Sequence, residues 1–96
     1  MSRMNPTHPG LLVKECLDDL GLSVAEAASG IGVTRQQLHN VIAGRSAVTP
    51  EMAVRFEQAF GSTADTWLRM QMNYDLAQVR NRKQAISVNR LTPKVA

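Results

Sequence analysis

The sequence predicts an all-α domain of five helices. Its 96 residues are 44% hydrophobic but only 4% aromatic, a balance that suits a helical bundle better than a sheet rich in β-branched and aromatic runs. Apolar residues recur at spacings of three and four, the period of a half-buried helix. Each such stretch has a Ser, Thr or Pro start and the first four have a Gly stop, the usual punctuation of helix ends. A chain of this length has room for one modest core.

Each element follows from local signals. His8-Pro9-Gly10 leads into LLVKECLDDL, where Leu12, Cys16 and Leu20 repeat with Val13 and Leu17 beside them, and Gly21 ends the helix. Ser23 is placed to cap VAEAASGI, whose Val24, Ala27, Ala28 and Ile31 share a face. After Gly32-Val33, Thr34 caps a third helix that Gly44 closes. Thr49-Pro50-Glu51 combines a cap, an N-terminal proline and a first-turn acid, and the fourth helix then buries Met52, Ala53, Phe56 and Phe60 before Gly61. Ser62 with Asp65 resembles a capping box for a fifth helix carrying Trp67, Leu68, Met72, Tyr74, Leu76 and Val79.

The second and third helices, joined tightly through a glycine, have helix-turn-helix form. Ala28 is small where the two helices approach, Gly32 supplies a left-handed turn, and Leu38 packs the third helix back onto the domain. At ~100° per residue, Leu38, Val41 and Ile42 cluster on one side of that helix. Gln36 and Asn40 point the other way, with Ala43 between them, His39 beside them, and Arg35 and Gln37 at the edges of the first turn. No acid lies between Gly32 and Gly44, whereas a merely solvated face usually carries Glu and Lys pairs. Amide side chains match adenine edges and Arg matches guanine, so this helix reads as one held out to DNA.

The HPG-led first helix, the LGLS…GVTRQQL…AGR…VTPEMAVRFEQAFG run and the closing TADTWLRMQMNYDL are similar to HigA-type antitoxins of the Xre helix-turn-helix family. The likeness spans residues 8–77. It implies a five-helix, phage-repressor-like helix-turn-helix domain, a homodimer, and double-stranded operator DNA as ligand for autorepression. It also implies pairing with a HigB-type mRNA-cleaving toxin. Carried over by position, Thr34 caps the recognition helix and touches a phosphate, Arg35 and Gln36 read bases, and Asn40 sits over the next base step. Arg45 and Ser46 grip the DNA backbone. Many such repressors place Gln at the first residue of the second helix to clasp a phosphate; here it is Val24, which leaves that contact to Ser23 or to the helix dipole.

The expected organisation is a flexible N-terminal segment over 1–8, the DNA-binding domain over 9–77, and a basic C-terminal helix extension and tail over 78–96. That last stretch holds Arg80, Arg82, Lys83, Arg90 and Lys94 without an acid, which fits either phosphate contact or simple solvation. Trp67, Leu68, Met72 and Tyr74 are candidates for the dimer interface, since Trp and Tyr favour interfaces, or else they pack against the first and fourth helices. Two histidines and one cysteine in no ligand-like spacing give no metal site, and no cofactor is expected. Cys16 reads as a small core residue and Asp18-Asp19 as a solvated pair. No triad is visible, so no enzyme is expected. The start lacks a signal peptide's apolar middle and no run is long enough for a membrane span, so a reducing cytoplasm is the expected compartment. Two rival readings remain open: a stand-alone repressor, and a protein-binding module acting through the fifth helix or the tail.

Overall fold

A computed structural model describes residues 6–95. Five helices follow in order: α1 (Pro9–Leu20), α2 (Val24–Ile31), α3 (Arg35–Ile42), α4 (Pro50–Phe60) and α5 (Ala64–Arg80). Among the described residues there is no strand, and residues 81–95 form no helix. None of the described helices is long and apolar enough to cross a membrane. The expected all-α, five-helix fold is the one observed.

The core forms where α1, α2, α3 and α4 turn their apolar sides inward around the start of α5. Val13, Leu17, Ala27, Ala28, Leu38, Val41, Val48, Ala53, Phe56 and Trp67 are buried in one cluster. Its aromatic end is a group of three tilted rings, Phe56 to Trp67 at 4.9 Å, Phe56 to Phe60 at 5.6 Å and Phe60 to Trp67 at 5.9 Å. Three aromatic rings in contact supply large apolar areas to a domain that has few aromatics.

The caps formed at Ser23, Thr34 and Thr49 as the local sequence requires. At the fifth helix the cap is Thr63, not Ser62: its hydroxyl accepts from the Thr66 amide at 3.2 Å. The Glu57 carboxylate of α4 takes the neighbouring Ala64 amide at 2.8 Å, so a residue from another helix completes this helix start. Asp18 is not simply solvated. It pairs with Lys14 at 2.7 Å across one exposed turn, an arrangement that contributes little to stability.

Three expected apolar assignments shift on packing. The buried stripe of α1 is Pro9, Gly10, Val13 and Leu17, while Leu20 is exposed and Leu12 and Cys16 are half-buried. Gly10 explains the rotation, because a side chain there would run into the Val41 and Ile42 carbonyl oxygens of α3. Cys16 lies at the rim, lining a hollow with Asp19, Leu20, Ala59 and Phe60. Burial, then Asp19 and Glu15, push its thiol above the usual range, which keeps it protonated and unreactive. On α5, Met72 and Leu76 face outward, and the polar Gln71 takes the inward place. The N-terminal boundary also moves. Residues 1–5 of the segment expected to be flexible lie outside the described residues, but His8 is buried and caps α1.

Candidate nucleic-acid interface

Eight residues make α3 too short to persist alone in water, so its placement depends on what holds it. Thr34 and Gln37 form a reciprocal capping box: the Thr34 hydroxyl accepts from the Gln37 amide at 3.0 Å, and the Gln37 Oε1 accepts from the Thr34 amide at 2.8 Å. Gln37 is therefore engaged in holding the helix start, leaving only its amide nitrogen to face outward. Ser23 and Glu26 build the same device at the start of α2. The Ser23 backbone and side-chain hydrogen bonds keep the exposed Glu26 carboxyl below its ordinary range.

The turn between the two helices uses Gly32 at φ 86°, a conformation that favours glycine. Arg55, on α4, clasps that turn. Its Nη1 donates to the Ile31 carbonyl at 2.9 Å and more distantly to that of Gly32 at 3.4 Å. The guanidinium is steadied from its own helix by Glu51 at 3.0 Å. A cation at the C-terminal end of α2 also meets the negative end of its dipole. Nothing in the hydropathy pattern singles out Arg55. The one signal in the sequence is its i, i+4 relation to Glu51, which alone says nothing of α2.

The far end of α3 is locked as well. The amides of Arg45 and Ser46 both donate to the Asn40 carbonyl, at 2.9 and 3.2 Å, as Gly44 turns with φ 77°. Two residues later the Val48 amide donates to the buried Gln71 Oε1 at 2.8 Å, and Gln71 Nε2 donates to Asp75 at 2.9 Å. Gln71 thus ties the loop after α3 to α5. Like Arg55, it carries no mark in the sequence that sets it apart from a solvated polar residue.

Between these anchors the outward face stays open. Arg35, Gln36, Gln37, His39 and Arg45 are exposed, and Asn40 and Ser46 half-buried. Gln36 Nε2 donates to Asn40 Oδ1 at 2.9 Å, and Arg45 Nη1 reaches the same oxygen at 3.5 Å. The structure thereby brings Gln36, Asn40 and Arg45 into one linked row along the helix. Arg35, Gln36 and His39 also line a hollow of about 310 Å³ with Val24 of α2. Val24 floors this hollow with an apolar surface where a glutamine would have offered an amide. Ser46 has only its hydroxyl for a ligand, since its amide is committed to Asn40.

The candidate interface residues on α5 do not stay together. Trp67 is fully buried inside its own chain and has no surface to give to a second copy, which corrects its assignment. Its indole nitrogen is enclosed without a hydrogen-bond partner among the described residues. Leu68 is half-buried against the core, and Tyr74 packs edge-on against His8 at 4.9 Å. Met72 is the exposed member at 52%, with Leu76 beyond it at 39%. Among the described residues no group of three or more His, Cys, Asp or Glu side chains is arranged to hold a metal ion.

Comparison with known proteins agrees with this geometry. Residues 13–67, from the first helix to the start of the fifth, match the helix-turn-helix family HTH_3. The chain is 45% identical over 76 residues to virulence-associated protein A' of Dichelobacter nodosus, covering 78% of this chain and 66% of that one. It is 32% identical over 84 residues to antitoxin HigA-1 of Vibrio cholerae, covering 86% and 79%. Its fold superposes on the Pseudomonas aeruginosa antitoxin HigA, solved with the higBA promoter, with a TM-score of 0.74 and 28% identity over 78% of this chain and 83% of that one. With a cap-and-glycine turn, an open amide face and these relatives, the chain belongs to the HTH_3 helix-turn-helix family of Xre type, together with HigA-type antitoxins.

Proposed function

We propose that the protein is an antitoxin and autorepressor that binds a palindromic operator as a homodimer and pairs with a HigB-type toxin. The observation that carries the DNA reading is the outward face of α3, acid-free and amide-rich on a helix anchored at both ends. Gln36 and Asn40 meet base edges, and Arg35 at the helix start reaches guanine. Thr34 and Ser23, at two helix N-termini, meet phosphates, while Arg45 and the Ser46 hydroxyl hold the backbone beyond Gly44. Gln37 and His39 flank this row, with Gln37 acting chiefly as a cap. The relative solved with its promoter supports DNA as a ligand of this chain. Two copies present their α3 helices about one DNA turn apart, ~34 Å. Met72, with Leu68 one turn away on the same side of α5, lies on the surface by which they meet. The pairing with a toxin rests on the likeness to HigA-type antitoxins.

Substitutions on α3 and its loop provide the test, read on duplexes from the region upstream of the coding sequence. Gln36→Ala keeps a good helix former at an exposed position, so the melting temperature stays near that of the parent. Operator binding weakens by ~1–3 kcal/mol, and discrimination relaxes at one base pair in each half-site. Arg45→Ala weakens binding to every duplex alike. A Gln36→Ala protein that binds as tightly and selectively as the parent overturns the reading. Co-purification with the product of the neighbouring reading frame, and loss of that product's toxicity on co-expression, test the toxin separately.

A further inference from the structure

We propose that His8 is a positioning residue for the DNA-backbone grip: its ring packs between Gly44, at the head of the loop carrying Arg45 and Ser46, the start of α1, and α5. This rests on the reading that Arg45 and Ser46 meet the DNA backbone. His8 lies far from α3 in sequence and outside the outward face, yet it is buried, only 8% exposed. Its Nδ1 accepts from the Gly10 amide at 2.9 Å, capping α1. With Nδ1 accepting, the proton of the neutral ring sits on Nε2, and the Ser46 backbone is among the polar groups near the ring. Gly44 rests on the same ring, close enough that an added Cβ would lie 3.8 Å from its Cγ. Tyr74 of α5 closes the other side, edge-on at 4.9 Å. One side chain therefore touches the loop, α1 and α5 together.

The charged surroundings define what protonation does. From α5, Asp75 attracts a proton and the Tyr74 ring packs against His8; from the loop, Arg45 lies between Gly44 and Ser46. The first charge on α1 is Lys14. Burial outweighs the attraction of Asp75 and the Ser46 contact, and the ring is held below its ordinary value of 6.5. A proton on Nδ1 would set two N–H groups against each other at the positive end of the α1 dipole. The sign follows: the folded state binds the proton less readily than the unfolded chain. Stability from neutral His8 is complete above about pH 6.5 and is lost as the pH falls through the lower folded value.

Binding gives the discriminating readout once His39, the other histidine, is replaced, because it lies exposed on the DNA-facing helix. The experiment uses the full chain carrying His39→Gln, with and without His8→Asn, which keeps a side-chain acceptor for the α1 cap. Affinity for an upstream duplex and for a random duplex of equal length is measured from about pH 5 to 8 at fixed ionic strength, with circular dichroism confirming the fold. In the His39→Gln protein, affinity for both duplexes falls ~5-fold on acidification, the equivalent of one missing hydrogen bond. With His8→Asn added, the fall disappears. In parallel, the amide resonances of Gly10, Gly44 and Ser46 titrate with a single midpoint below the ordinary 6.5 of a histidine. If Gly10 titrates alone, or the acid-side fall survives His8→Asn, His8 does not position the loop. If Arg45→Ala leaves all DNA binding unchanged, the reading of the loop as a backbone grip fails first, whatever His8 does.

Discussion

The two sides of α3 are built on opposite rules. Inward, every contact comes from another element: Leu38 and Val41 sit in the core, Arg55 of α4 clasps the turn before the helix, and Gly10 of α1 abuts its last carbonyls. Outward, among the described residues, the side chains of Gln36, Asn40 and Arg45 bond only to one another. Such bonds between exposed groups exchange readily with water or a ligand. The inward side therefore fixes where the helix sits, and the outward side fixes what it says to a partner. A change inward should cost stability first and binding second. A change outward should cost binding alone, as expected above for Gln36→Ala.

The largest effect should come from deep on the inward side. Leu38→Ala removes a side chain with no solvent exposure and leaves a cavity between α3 and the core. Unfolding by urea should show a loss of ~2–5 kcal/mol, with affinity for all duplexes falling through the unfolded fraction. A stable Leu38→Ala protein with selectively impaired operator binding would reverse the assignment of the two sides.

Arg55→Met should lie between the two extremes. It retains much of the side chain's apolar reach but leaves the Ile31 carbonyl without its charged donor, which should reduce stability by ~1–2 kcal/mol. Because the turn angle is loosened, operator affinity should drop by more than the stability change alone accounts for, and Arg55→Lys should restore part of it. Equal losses on operator and random DNA, with no rescue by Lys, would make Arg55 a contributor to stability only.

The smallest effect belongs to the tail. Residues 81–95 are exposed throughout and form no regular structure, so cutting after Asn81 should leave the melting temperature unchanged. Binding to operator and random duplexes should weaken alike. The salt dependence should flatten by ~0.9 in slope for each phosphate that the shortened chain no longer neutralises. An unchanged slope would make the tail a bystander in DNA binding, and disruption of the dimer would place it in the interface.

Local chemistry was legible in the sequence. Helix starts at Ser23, Thr34 and Thr49 depend on residues three positions away, and all three formed as expected. At the fifth helix Thr63 takes the cap in place of Ser62, and Glu57 of α4 completes the helix start at the Ala64 amide, a contact made between helices. Likewise the amide face of α3 follows from helical period alone, since Leu38 and Val41 oppose Gln36 and Asn40 whatever the rest of the chain does.

What the sequence by itself determined was the set of helices, their caps and the face of α3 turned away from the core, because these depend on neighbours within one or two turns. Only the tertiary structure decided which side of α1 and α5 is buried, and that Trp67 is core rather than interface. Periodicity orients a stripe but does not say which helix it meets. Only the tertiary structure, too, joined Arg55 to Ile31 and Gln71 to Val48. These polar ties join residues far apart in the chain, and each exists because packing leaves a backbone group out of reach of water and beside one side chain able to satisfy it.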